Sequence, residues 1–133
     1  MFLVGLTDKQ KMAYLELSYS LIAADGLLSN DEVLMMEQYK QEMSLTVQLS
    51  ELSHNPDHAI AEFQNASDVV KKQVLFELTG LAYADNEYVE AEQEFLEKIC
   101  EAWSLESSIL EFCKTYMAEL MSLYDRIGHF ITG

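Results

Sequence analysis

Residues 7–45 and 67–105 repeat one another at a fixed offset of 60 positions, and no gap interrupts the register. The stretch Ala23-Ala24-Asp25-Gly26-Leu27-Leu28-Ser29-Asn30-Asp31-Glu32 returns in reduced form as Tyr83-Ala84-Asp85-Asn86-Glu87-Tyr88-Val89-Glu90-Ala91-Glu92. The same shift pairs Thr7-Asp8 with Ser67-Asp68, Lys11 with Lys71, Leu15 with Leu75, Leu21 with Leu81, Glu37 with Glu97, and Ser44-Leu45 with Ser104-Leu105. Such a register predicts two copies of one helical hairpin. One hairpin alone leaves its apolar side exposed, and packing two copies about an approximate two-fold axis buries both stripes.

The pattern along the chain is helical throughout. Thr7-Asp8 reads as an N-cap, followed by Met12, Leu15, Tyr19 and Ile22 at helical spacing, with Leu17 and Leu21 widening the stripe as far as about Ala24. Gly26, and Asn86 in the second copy, suit the left-handed residue past a helix end. Ser29 with Glu32 has capping-box spacing and opens a helix through Val33, Met36, Tyr39 and Met43. Residues 44–54 form a short helix or a packed loop; Asn55-Pro56-Asp57 then caps a helix carrying Ala59, Ile60 and Phe63. Ser67-Asp68 starts the second copy, with Val74, Leu75, Leu78, Leu81 and Ala82 facing inward, and Phe95, Leu96, Ile99 and Trp103 on its outgoing helix. Ser104 reads as the cap of a final helix, about 105–127, in which Ile109, Cys113, Tyr116, Leu120, Leu123 and Ile127 recur at helical spacing. Gly128 is its expected stop, with His129 to Gly133 fraying. No segment alternates as a half-buried strand does, so the expected fold is a single all-α domain over residues 1–133, of five to seven helices with pseudo-two-fold symmetry.

Size and charge narrow the function. A chain of 133 residues builds a core without staples, burying roughly 65–70% of its unfolded surface. Half of its residues are hydrophobic and it has a single proline, Pro56, which suits an ordered helical protein. The formal charge of −15, from 23 acids and 8 bases, repels phosphate backbones and anionic lipid and favours cations or basic partners. Cys100 and Cys113 are too few and too far apart for a metal knuckle and read as buried, reduced thiols. The apolar start Met1-Phe2-Leu3-Val4-Gly5-Leu6 lacks the basic region of a signal peptide, and no apolar run reaches the roughly 20 residues of a membrane span. The sequence-based expectation is a cytoplasmic protein.

Four acids recur at the loop between the helices of each hairpin: Asp25 and Glu32 in the first copy, Asp85 and Glu92 in the second. Brought together across a two-fold, four carboxylates require protons or a cation to neutralise them. Oxygen ligands of this kind suit Mg²⁺ or Ca²⁺, and the spacing is not that of an EF-hand, because Gly26 follows Asp25 directly. The same residue types also serve as caps in the helix-dipole field, Asp25 on loop amides and Glu32 in its capping box. Val89 replaces Ser29 in the second copy, so Glu92 persists there without a side-chain cap to reciprocate.

Ala23-Ala24-Asp25-Gly26-Leu27-Leu28-Ser29 with Glu32, echoed by Ala84-Asp85 with Glu92, resembles the TerB-like family, which includes a tellurite-resistance protein and the N-terminal domain of membrane-anchored DjlA-type co-chaperones. The resemblance covers nearly the whole chain. It implies an all-helical fold with internal pseudo-symmetry and a divalent-cation site on Asp25, Glu32, Asp85 and Glu92, in a stress-response or envelope-associated assembly. Asn86 stands where the family often has a second glycine, and Val89 where a small polar residue is usual. On this reading the chain is expected to lack the J domain and membrane anchor of the co-chaperones.

Other constellations are poorer. His54 and His58 flank Asp57, but Pro56 makes His54 precede the helix, so the pair lacks the shared face of a helical metal site. There is no glycine-rich phosphate loop and no nucleophile–base–orienter set, so a non-enzymatic role is expected. A metal-free acidic domain that docks an unidentified protein partner is the alternative to the cation-binding module.

Overall fold

The computed structural model describes residues 2–24, 30–48, 51–52, 55–83 and 90–133. The described residues form six helices and no strand: α1 (Asp8–Ile22), α2 (Asn30–Glu42), α3 (Pro56–Glu62), α4 (Asp68–Ala82), α5 (Glu90–Ala102) and α6 (Ser107–Thr132). Helix α1 lies at the centre of the packing and touches α2, α3, α4 and α5; α4 in turn packs on α5 and α6.

The helix starts follow from their caps. Thr7 forms a full capping box: its Oγ1 accepts from the Gln10 amide at 3.1 Å, and its own amide donates to Gln10 Oε1 at 3.0 Å. Ser67 Oγ accepts from the Val70 amide at 3.2 Å, and Asn55 Oδ1 from the Asp57 amide at 3.1 Å, with Pro56 in the first turn of α3. These three starts agree with the sequence reading. Ser29 and Gly26 of the first loop, and Asn86 and Val89 of the second, lie outside the described residues.

The helix ends show a device that spacing alone did not reveal. Ser44 and Ser104 have φ of 58° and 56°, in the left-handed region. After α2, Leu45 N donates to Lys40 O at 2.8 Å and Ser44 N to Gln41 O at 3.2 Å; after α5, Leu105 N donates to Cys100 O at 2.9 Å and Ser104 N to Glu101 O at 3.1 Å. Both are Schellman closures, which satisfy the last carbonyls of the helix and reverse the chain. Ser104 therefore terminates α5 and does not cap the final helix as the sequence suggested. Glu106 is the N-cap of α6, and it makes no side-chain capping bond.

The core is continuous. Leu15, Leu17 and Leu21 of α1, Met36 of α2, Phe63 just past α3, Val74, Leu75, Leu78 and Leu81 of α4, and Leu96 and Ile99 of α5 are all fully buried. Trp103 joins two layers: its indole Nε1 donates to Ile60 O at 2.9 Å, and its ring lies 5.4 Å from that of Phe63. The segment before α1 is tied down as well. The fully buried Leu3 donates its amide to Glu42 at 3.0 Å, and Phe2 donates its amide to Glu77 at 2.9 Å.

The final helix departs from the sequence reading in two ways. It continues through Gly128 to Thr132, because Gly128 keeps a helical backbone and Thr132 Oγ1 donates to its carbonyl at 2.9 Å. A glycine inside a helix costs about 1 kcal/mol relative to alanine, which lowers helix stability without stopping propagation. Its apolar stripe is also only half used. Leu110, Cys113 and Met117 are buried, but Tyr116, Leu123 and Ile127 are exposed, since no other described element covers that face.

Candidate functional site

Of the four acids expected to form a site, the structure describes Glu32 and Glu92; Asp25 and Asp85 lie outside the described residues. Glu32 is the third residue of α2 and Glu92 the third of α5, and their relative exposures are 4% and 2%. Hydrophobic patterning misses both, because a glutamate in a first turn ordinarily faces water. Here the carboxylates point inward on the faces that also carry Met36 and Tyr39 in α2, and Leu96 and Ile99 in α5. The signal that could have revealed them is position: each lies four residues before a core residue, Met36 or Leu96, on one helical face.

A buried carboxylate is tolerated only when hydrogen bonds, an opposite charge, a cation or a proton compensates its lost hydration. At the start of a helix the free amides and the helix dipole supply part of that compensation. Neither Glu32 nor Glu92 is without a partner. A carboxylate in this position is a competent oxygen ligand for a hard divalent cation approaching the loop side. No group of three His, Cys, Asp or Glu side chains arranged to hold a metal ion occurs among the described residues.

A second polar cluster surrounds the N-terminal segment. Tyr14 and Tyr39 stack edge to face, with ring centroids 5.0 Å apart, and the Tyr39 hydroxyl donates to the Glu77 carbonyl at 3.2 Å. Burial holds both phenols well above the ordinary tyrosine range; their mutual proximity adds to the shift of Tyr14, and the Glu77 charge raises both. Neither ionises at neutral pH, and the Glu42 and Glu77 carboxylates are occupied by the amides of Leu3 and Phe2. The cluster therefore has a structural role.

Cys100 and Cys113 are free, buried thiols, as the sequence implied. Burial pushes both up to about 11; Cys100 is raised further by Cys113 and Glu97. Thiols of this kind are poor nucleophiles at neutral pH. His58 is exposed on α3 beside Asp8, Glu16 and Glu62, while His54 lies outside the described residues. No helix among the described residues is long and apolar enough to cross a membrane.

Between α2, α4 and α6 runs an open groove of about 410 Å³ with Met35, Phe76, Gly80, Met117, Met121 and Tyr124 in its walls and Glu42 and Glu77 at its edge. Of its three methionines, Met117 is buried and Met35 packs against the core, while Met121 is partly exposed. The chain matches no protein-family model, no curated protein and no solved structure.

Proposed function

We propose that the chain is a non-enzymatic, TerB-like helical module that binds a divalent cation, Ca²⁺ or Mg²⁺, through Asp25, Glu32, Asp85 and Glu92. The observation that carries this reading is the burial of Glu32 and Glu92 at matching places in two matching helix pairs. Helices α1 and α4 are both 15 residues long and begin at 8 and 68; α2 and α5 are both 13 residues long and begin at 30 and 90. The Thr7 and Ser67 caps and the Ser44 and Ser104 closures fall at the same offset. These coincidences support an approximate two-fold relation between residues 7–45 and 67–105. A carboxylate retained inside both copies, when an apolar residue would pack there at lower cost, fits a ligand better than a surface cap. The stress-response or envelope-associated setting rests on the family resemblance alone.

The test is calorimetric titration of chelator-treated protein with Ca²⁺ and with Mg²⁺ in moderate salt, which suppresses diffuse binding to so acidic a surface. Saturable binding is expected, and Asp25→Asn and Asp85→Asn should each abolish it without unfolding the protein. Weak heats that never saturate and ignore both substitutions would remove the cation reading.

A second reading is favoured by the apolar groove beside the acidic body. In it the chain is a metal-free interaction domain, with Glu32 and Glu92 serving only the helix starts, and α6 with its groove forming the docking face.

A further inference from the structure

We propose that the exposed face of α6 is covered by α6 of a second copy of this chain, running antiparallel, to form a symmetric dimer; the inference stands apart from the cation reading. Every residue from Ser122 onward is exposed, so the last part of α6, about 16 Å long, projects beyond the body. It is not a polar tail. Leu123, Tyr124, Ile127, Phe130 and Ile131 have exposures of 45%, 60%, 44%, 77% and 76%. They continue the spacing of Cys113, Tyr116, Met117 and Leu120, the period of three and four that seams two helices together. The stripe also runs into the groove walled by Met117, Met121 and Tyr124, so projection and groove form one apolar surface.

Area and charge select the occupant. Two of the five projecting residues are aromatic and three aliphatic; at their exposures they present on the order of 600 Å² a copy, so two copies together offer at most about 1,200 Å², the lower edge of a stable interface. Residues Ser107–Gly133 hold three acids and two bases, whereas the rest of the chain holds 20 acids and six bases. Two copies can therefore meet along this helix without the strong repulsion that the acidic remainder of the chain would impose. Parallel pairing would set the acidic bodies side by side, while antiparallel pairing puts them at opposite ends. Arg126, the only arginine in the chain, lies two turns after Glu119 on the same face, and both are exposed. Antiparallel helices carry each Arg126 towards the other copy's Glu119 and return the contact by symmetry.

The full chain is examined by sedimentation velocity from about 1 µM to about 300 µM at about 0.15 M salt. A monomer–dimer equilibrium is expected, and Phe130→Glu, at a site no core contact depends on, should raise the dimer Kd at least tenfold. Arg126→Glu should weaken the dimer, and the exchange Glu119→Arg with Arg126→Glu should restore it. The proposal is overturned by a monomer at every concentration, by a dimer indifferent to Phe130→Glu, or by an exchange that fails to restore what Arg126→Glu loses. Monomer that instead binds phosphatidylcholine vesicles through Phe130 would overturn it in favour of a lipid surface.

Discussion

Trp103 fixes the end of α5 against α3 with one hydrogen bond and one aromatic contact. Replacing it with phenylalanine keeps most of the packing and removes one of two hydrogen bonds to the Ile60 carbonyl, which still accepts from the Phe63 amide at 3.2 Å, so Trp103→Phe should lower unfolding free energy by about 0.5–1.5 kcal/mol in urea titration. The two serines at positive φ make the opposite prediction. Ser44 and Ser104 hold a conformation that glycine adopts without a steric penalty, so Ser44→Gly and Ser104→Gly should each stabilise by roughly 0.5–1 kcal/mol, read as a shift in urea midpoint. The thiols set an alkaline limit. Cys100 and Cys113 rise from 9.0 to about 11 on folding, so the folded state keeps its protons where the unfolded chain loses them. Their contribution is intact below pH 9 and is lost as pH climbs towards 11. The melting temperature should fall across that window, and less steeply in Cys100→Ala.

At the scale of elements, the packing of α1 against four neighbours leaves little room for adjustment, and the segment before it is part of the same core. Leu3→Ala removes a fully buried side chain whose backbone is pinned by Glu42, and should destabilise by about 2–5 kcal/mol in thermal or urea unfolding. Helix type and order, and the starts of α1, α3 and α4, were legible because each of these three starts has a chemical marker: Thr7 with Gln10, Asn55 with Pro56, Ser67. The ends were less so. A Schellman closure on serine has no compositional signature, and Ser104 in that role looks like an N-cap for the helix that follows. The run of α6 past Gly128 escaped for a related reason, since a glycine stops a helix only where the chain turns left-handed. Periodicity found the apolar stripe of α6 but could not say that half of it lacks a neighbour. Burial of Glu32 and Glu92 was illegible because residue type argues against it, although their spacing to Met36 and Leu96 places them on the inner face.

Across the whole molecule, a charge of −15 stores repulsion that screening relieves. Raising sodium chloride from about 10 mM to about 300 mM should therefore raise the melting temperature, with little further gain once the Debye length falls below the spacing of surface charges. The proposed cation would act differently, at low concentration and at matched ionic strength. The decisive comparison is thermal unfolding of the wild type and Glu92→Gln, each with chelator and with millimolar Ca²⁺ or Mg²⁺ at constant ionic strength. The wild type should gain stability from one of the cations by ligand linkage. Glu92→Gln should lose that gain, because an amide is a far weaker ligand than a carboxylate for a hard cation. A wild type indifferent to either cation, with Glu92→Gln melting lower under both conditions, would contradict the account and leave Glu92 as a structural acceptor at the start of α5.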